Sequence, residues 1–260
     1  FALSMSEQGF SVGFGKKQNL YQYSKYIKKG LFLLKSIGPR NLNAIVNLKK
    51  HGHQVSSWDE EGFVQFGEQF TRLRNDNSCL REIDYLYAWG EDQKKNLLNF
   101  FPEYREKIVP TGHPRFDLLK KENNFIFEND AKKIRDRYGK FILVATKFPI
   151  GNSVIENLRS KHQEAQLKSG IKNDFDRLDK KFQKKTMEIL IETLNSLTEK
   201  CPDINIILRP HPGENILVWN KIFDKHKNIR VIQDQENTCC WIMASQFLIS
   251  TNCHTSIESF

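Results

Sequence analysis

Three short runs hold residue types able to do chemistry. Asp59-Glu60-Glu61-Gly62 sets three carboxylates in a row ahead of a glycine. Crowded carboxylates raise one another's pKa, which suits a general base that takes a proton from a hydroxyl near neutral pH. The same run would equally form a solvated acidic loop capping the next helix. Arg209-Pro210-His211-Pro212-Gly213-Glu214 holds a histidine between two prolines that fix the backbone on either side. Such a histidine can donate a proton or hydrogen bond to a leaving phosphate, and Arg209 can offer its fork to phosphate oxygens. A strand-ending turn with a surface histidine is the structural alternative. In Ser250-Thr251-Asn252-Cys253-His254-Thr255-Ser256-Ile257-Glu258, small polar residues stand between a strand and a helix start. Free N–H groups and hydroxyls there would bind phosphate, or Ser and Thr would merely cap the helix with Glu258 closing a capping box.

Other chemistries recede. Gly13-Phe14-Gly15 is too short for a dinucleotide fingerprint, and the sequence holds no P-loop lysine motif and no HExxH. The five cysteines (79, 201, 239, 240 and 253) make no CxxC pair and no zinc-finger grouping, so neither a disulfide framework nor a structural zinc is indicated, and a reducing cytoplasm fits. A net charge of +9 over 260 residues permits nucleic acid, an anionic membrane face or phosphorylated small molecules as partners. Lysines are scattered, as at 180–185, without a nucleic-acid-binding signature, so nucleic acid is not expected. The longest apolar runs are strand-sized and fall short of the ~20 residues a membrane helix needs. The chain starts Phe1-Ala2-Leu3 and stops at Phe260 without a cap, which reads as a fragment at both ends.

The elements that must position these runs alternate. Residues 2–8 read as a helix tail, 10–13 as a short strand, 20–29 as a helix, 30–34 as a strand, 41–51 as a helix stopped by Gly52 and 54–57 as a strand. A strand at 83–90, a helix at 91–100 and a strand at 107–109 follow, ending in Thr111-Gly112-His113-Pro114-Arg115. Gly112 and Pro114 there suit a bend into a linker lining a cleft. The polar stretch 120–136 reads as the interdomain connection. A second alternation has strands at 141–146, 204–208, 231–232 and 247–249 and helices at 174–200, 216–224 and 241–244. Met187, Leu190, Ile191, Leu194 and Leu197 make one buried stripe. Strand and helix taking turns predicts α/β architecture with parallel sheets. The expected domains are 1–119, lacking its first strand, and 137–260, lacking its last helices.

Gly52-His53, Asp59 to Gly62, Thr111 to Leu119, Tyr138 to Leu143, Leu208 to Pro212 with Glu214-Asn215, Trp241 to Ser245 and Asn252 to Glu258 follow in an order that resembles bacterial surface-carbohydrate biosynthesis proteins of capsule and lipopolysaccharide gene clusters. More distantly, an acidic-acidic-Gly motif followed by His-Pro and Ser/Thr motifs resembles sialyltransferases and Kdo transferases that use CMP-activated sugars. The resemblance implies a GT-B-like fold of two Rossmann-like domains whose sheets face a central cleft, with the acceptor on the first domain and the nucleotide on the second. It implies that Glu61, with Glu60 its neighbour to test, deprotonates the acceptor. It implies that His211 assists departure of the nucleotide phosphate and that Thr255 and Ser256 bind that phosphate; Arg209, Pro212, Ser250, Thr251, His254 and Glu258 are the further candidates for nucleotide or phosphate binding. Gly112, His113 and Arg115 would line the cleft. His113 and His254 replace residues more usual in the family.

The expected function is inverting, metal-independent transfer from a nucleotide-activated, CMP-linked sugar to a glycan or lipid-linked acceptor, without a cofactor, in the cytoplasm or at the inner face of an anionic membrane. A CDP-glycerol-type phosphotransferase and a non-catalytic nucleotide- or glycan-binding protein are the alternatives.

Overall fold

The computed structural model describes residues 1–60, 62, 71–72, 74–149, 151–152, 174–234, 236–251 and 255–259. They divide into two compact units, Phe1–Leu118 and Leu119–Phe260.

The first unit carries β1 (Leu31–Leu34), β2 (Gln54–Trp58), β3 (Tyr85–Ala88) and β4 (Ile108–Pro110), all parallel and in the order β1-β2-β3-β4. Ile45 and Leu48 on the helix Leu42–Lys50, Leu80 on Asn77–Glu82 and Leu97 on Glu91–Phe100 pack with Val55, Leu86 and Ile108 into one core. Apolar positions three apart on a helix share a face, so Ile45 and Leu48 enter the core together. Asp76 caps the Asn77–Glu82 helix by accepting from Cys79 N–H at 2.9 Å.

The second unit carries β5 (Phe141–Ala145), β6 (Asn205–Arg209), β7 (Ile229–Val231) and β8 (Phe247–Ser250), also parallel, in the order β7-β6-β5-β8. Successive residues of a strand face opposite sides. Val144, Ile206 and Leu208 therefore pack on Met187, Leu190 and Leu194 of the helix Asp174–Lys200 and on Trp219 and Phe223 of Ile216–Phe223. Phe141, Leu143 and Ile207 pack on the other side against Phe127, Ala131 and Ile134 of Phe125–Tyr138 and Trp241 of Thr238–Ala244. A sheet covered on both faces by helices accounts for the nearly continuous apolar strands.

Three expectations give way. Residues 120–136 are largely the helix Phe125–Tyr138, whose Phe127, Ala131 and Ile134 make it a layer of the second core; exposed Phe125 and Ile126 beside them hide the stripe in the sequence. Residues 10–13 form no strand, because no neighbouring strand pairs with them. The helix expected over 20–29 is Lys17–Tyr23 followed by a 3-10 turn, Ser24–Tyr26.

Candidate functional site

In parallel α/β sheets ligands gather beyond the carboxyl ends of the strands, at the point where the strand order reverses. The second sheet has such a point: after β5 the chain runs outward through β6 and β7, then returns to place β8 on the opposite side of β5. The loops leaving β5 and β8 are bonded directly, Lys147 N–H donating to Thr251 Oγ1 at 3.0 Å and Thr251 N–H to Ala145 O at 3.1 Å. Ser256 Oγ donates to Ser250 Oγ at 2.9 Å, so Ser250, Thr251 and Ser256 stand together, with Thr255 opening the short helix Thr255–Glu258. His254 and the Glu258 side chain lie outside the described residues. Lys147 is exposed and has no carboxylate partner among the described residues. The sequence reading passed over it, because nothing in Thr146-Lys147-Phe148 marks a lysine at a switch point until strand order is known.

The loop after β6 brings His211 to the same edge. His211 Nδ1 accepts from Gly213 N–H at 3.0 Å, so the neutral imidazole carries its proton on Nε2. The ring is exposed, and Nε2 has no partner among the described residues. Pro212 beside it is exposed and Pro210 buried. Glu214, also unmarked in the sequence reading as a site residue, is 0% exposed. Its Oε1 accepts from Thr146 Oγ1 at 2.8 Å and His211 N–H at 3.0 Å, and its Oε2 from Trp219 Nε1 at 2.9 Å.

Arg209 departs from expectation. Its guanidinium donates to Asp234 Oδ1 at 2.9 Å, Glu236 O at 2.8 Å and Thr238 Oγ1 at 3.3 Å, and lies 5.3 Å from the Trp241 ring centroid. The fork expected to face a phosphate faces a carboxylate, because strand alternation turns Arg209 toward the segment that follows β7.

The carboxyl ends of β2, β3 and β4 form a separate cluster in the first unit. Asp59, 3% exposed, turns inward to an ion pair with Arg74, whose Nε lies 2.8 Å from Oδ2. Glu60 turns outward to Lys35, 3.5 Å away. Asp59 and Glu60, neighbours in sequence, point apart, and each of the two meets a cation. Glu61 lies outside the described residues. Gly62 is dictated by space: a Cβ there would lie 2.6 Å from Gln93 Nε2 and 2.7 Å from Asp59 Oδ2. Trp89 Nε1 donates to Asp59 O at 2.6 Å, and the indole stacks on His113 with centroids 4.1 Å apart. Gly112 takes φ +76°, a conformation that favours glycine. It delivers His113 to the N-cap of the turn Pro114–Asp117, where Nδ1 accepts from Arg115 N–H at 3.2 Å. Burial, then the charge of exposed Arg115, pulls the His113 pKa below its usual value against Glu60, Asp59 and Asp117. Among the described residues no three of His, Cys, Asp and Glu gather as a metal site, and no helix is long and apolar enough to cross a membrane.

The fold and edge geometry define the class: an α/β protein with GT-B-like architecture. Among solved structures, S. aureus MnaA with UDP is similar at TM-score 0.56 and 16% identity, over 90% of this chain and 56% of that one. The Methanocaldococcus jannaschii UDP-GlcNAc 2-epimerase with UDP-GlcNAc and UDP is similar at TM-score 0.57 and 17% identity, over 93% and 60%. The Neisseria meningitidis UDP-GlcNAc 2-epimerase bound to UDP-GlcNAc is similar at TM-score 0.51 and 14% identity, over 90% and 57%. The chain thus spans 56–60% of the length of these proteins. At such identities the likeness is one of fold. No family model and no curated relative matches the sequence.

Proposed function

We propose that this chain binds a nucleotide-activated sugar at the β5–β8 edge and transfers the sugar, with inversion, to a glycan or lipid-linked acceptor in surface polysaccharide assembly. The observation carrying this reading is the convergence on one edge of a His211 Nε2–H and a Lys147 side chain that have no partner among the described residues, with the Ser250 and Thr251 hydroxyls, Ser256 bonding to Ser250. Anionic phosphate oxygens need such donors, and a fixed imidazole can protonate or hydrogen-bond the departing phosphate. Lys147 takes the cationic role expected of Arg209, so the leaving group is neutralised without a metal. Glu61 or Glu60 activates the acceptor hydroxyl on the first unit. The uridine nucleotides held by the similar structures support a UDP-linked donor; the sequence resemblance alone supports a CMP-linked one. The net charge of +9 supports work at an anionic membrane face, where lipid-linked acceptors reside.

A second reading, epimerisation of a UDP-sugar, is favoured by the named activity of the M. jannaschii and N. meningitidis neighbours. Incubation with UDP-GlcNAc and with CMP-N-acetylneuraminate, followed by NMR of the products, separates the two. Nucleotide release that requires a glycan acceptor supports transfer. Appearance of the C2 epimer without acceptor supports epimerisation, and neither product with either donor overturns both.

A further inference from the structure

Glu214 is a fully buried carboxylate with no cation against it among the described residues: its partners there are a hydroxyl, a backbone N–H and an indole N–H. Burying a charge on neutral donors alone is costly, and an apolar side chain would fill the same space without that cost. Its three donors come from three places: Thr146 from the loop after β5, His211 from the loop after β6, and Trp219 from the helix Ile216–Phe223. A second link runs parallel to it, with Asn215 N–H donating to Asn152 O at 3.0 Å and Asn152 Nδ2 to Asn215 O at 3.2 Å. The loop that carries Lys147 is thereby tied to the loop that carries His211.

From this arrangement we infer that Glu214 is a positioning residue: it fixes the His211 backbone against the β5 loop so that the ring keeps its Gly213 bond and its Nε2–H stays aimed out of the edge. The inference rests on the reading of His211 as the phosphate-side donor. Two of the three donors, the backbone and indole N–H groups, cannot reverse into acceptors. Glu214→Gln therefore sets an NH2 against His211 N–H in one amide orientation and against Trp219 Nε1–H in the other. Neither orientation keeps all the bonds, although the volume is unchanged. The imidazole is then free to leave Gly213 N–H and to exchange tautomers.

The test is a pair of measurements on the full chain carrying 15N-histidine. In the wild type, the His211 ring nitrogens show the Nε2–H tautomer at neutral pH; in Glu214→Gln they show an averaged pattern while amide dispersion is kept. UDP titration then shows about a tenfold loss of affinity in Glu214→Gln, and a loss under about twofold when the same change is made in a His211→Ala background, because the ring through which Glu214 acts is gone. If Glu214→Gln fails to fold, Thr146→Val removes one donor from the same oxygen and is read in the same way. An unchanged His211 spectrum, or equal loss of affinity in both backgrounds, overturns the inference. A wild-type chain that binds no UDP counts against the nucleotide reading, while the His211 spectrum still decides the role of Glu214.

Discussion

Both units end a strand in a His-Pro turn, and both turns make the same bond: His113 Nδ1 accepts from Arg115 N–H, His211 Nδ1 from Gly213 N–H. Each neutral ring therefore carries its proton on Nε2. The surroundings divide them. His113 is half-buried, stacked on Trp89, and feels Glu60, Asp59 and Asp117. His211 is exposed, on a loop at the same sheet edge as Lys147, which has no carboxylate partner among the described residues, and strand order reverses at that edge. The first sheet runs β1-β2-β3-β4 without reversal among the described strands. A local turn sets the tautomer; strand order and neighbouring charge decide whether an anion can use it.

The contrast is sharpest at His211. His211→Ala should lower turnover by about 100-fold or more while leaving the melting temperature nearly unchanged, since the residue is exposed; steady-state kinetics beside calorimetry checks both. In the first unit effects should fall on stability instead. Asp59→Ala removes the carboxylate that accepts from Arg74, whose side chain is 22% exposed, and should cost about 3 kcal/mol in urea unfolding. Gly62→Ala drives a methyl into Gln93 and Asp59 and should cost about 1–3 kcal/mol in the same assay. Thr251→Ala removes the acceptor for Lys147 N–H and should weaken UDP binding by about 1 kcal/mol, with little change in unfolding. The smallest effect is at His113. Its folded pKa lies below the usual 6.5, so the unfolded chain binds the proton more readily. The stability it contributes above pH 6.5 is lost as pH falls through the folded pKa. His113→Asn should flatten the acid side of the stability curve, and an unchanged curve would remove burial of His113 from the account.

Periodicity made much of the fold legible. The helix Glu91–Phe100 and the long helix Asp174–Lys200 follow from apolar spacing, and the strands from short apolar runs between turn residues. The helix Phe125–Tyr138 escaped because its buried stripe is interrupted by exposed aromatic and aliphatic residues and surrounded by charge. The place of His211 in a turn after a strand was readable from its two flanking prolines, whereas the bonds of Arg209 depend on Asp234 and Thr238, more than twenty residues later. Asp59 read as one of three crowded acids, yet its partner Arg74 is fifteen residues away. Lys147 and Glu214 acquire meaning only once β5, β6 and β8 lie side by side, which no local pattern encodes.

Calorimetric titration of UDP into the wild-type chain and its His211→Ala and His113→Ala variants tests most directly which histidine turn serves the nucleotide. The account predicts binding to the wild type, at least about tenfold weaker binding to His211→Ala, and affinity within about twofold of wild type for His113→Ala. Binding lost in His113→Ala but kept in His211→Ala would contradict it.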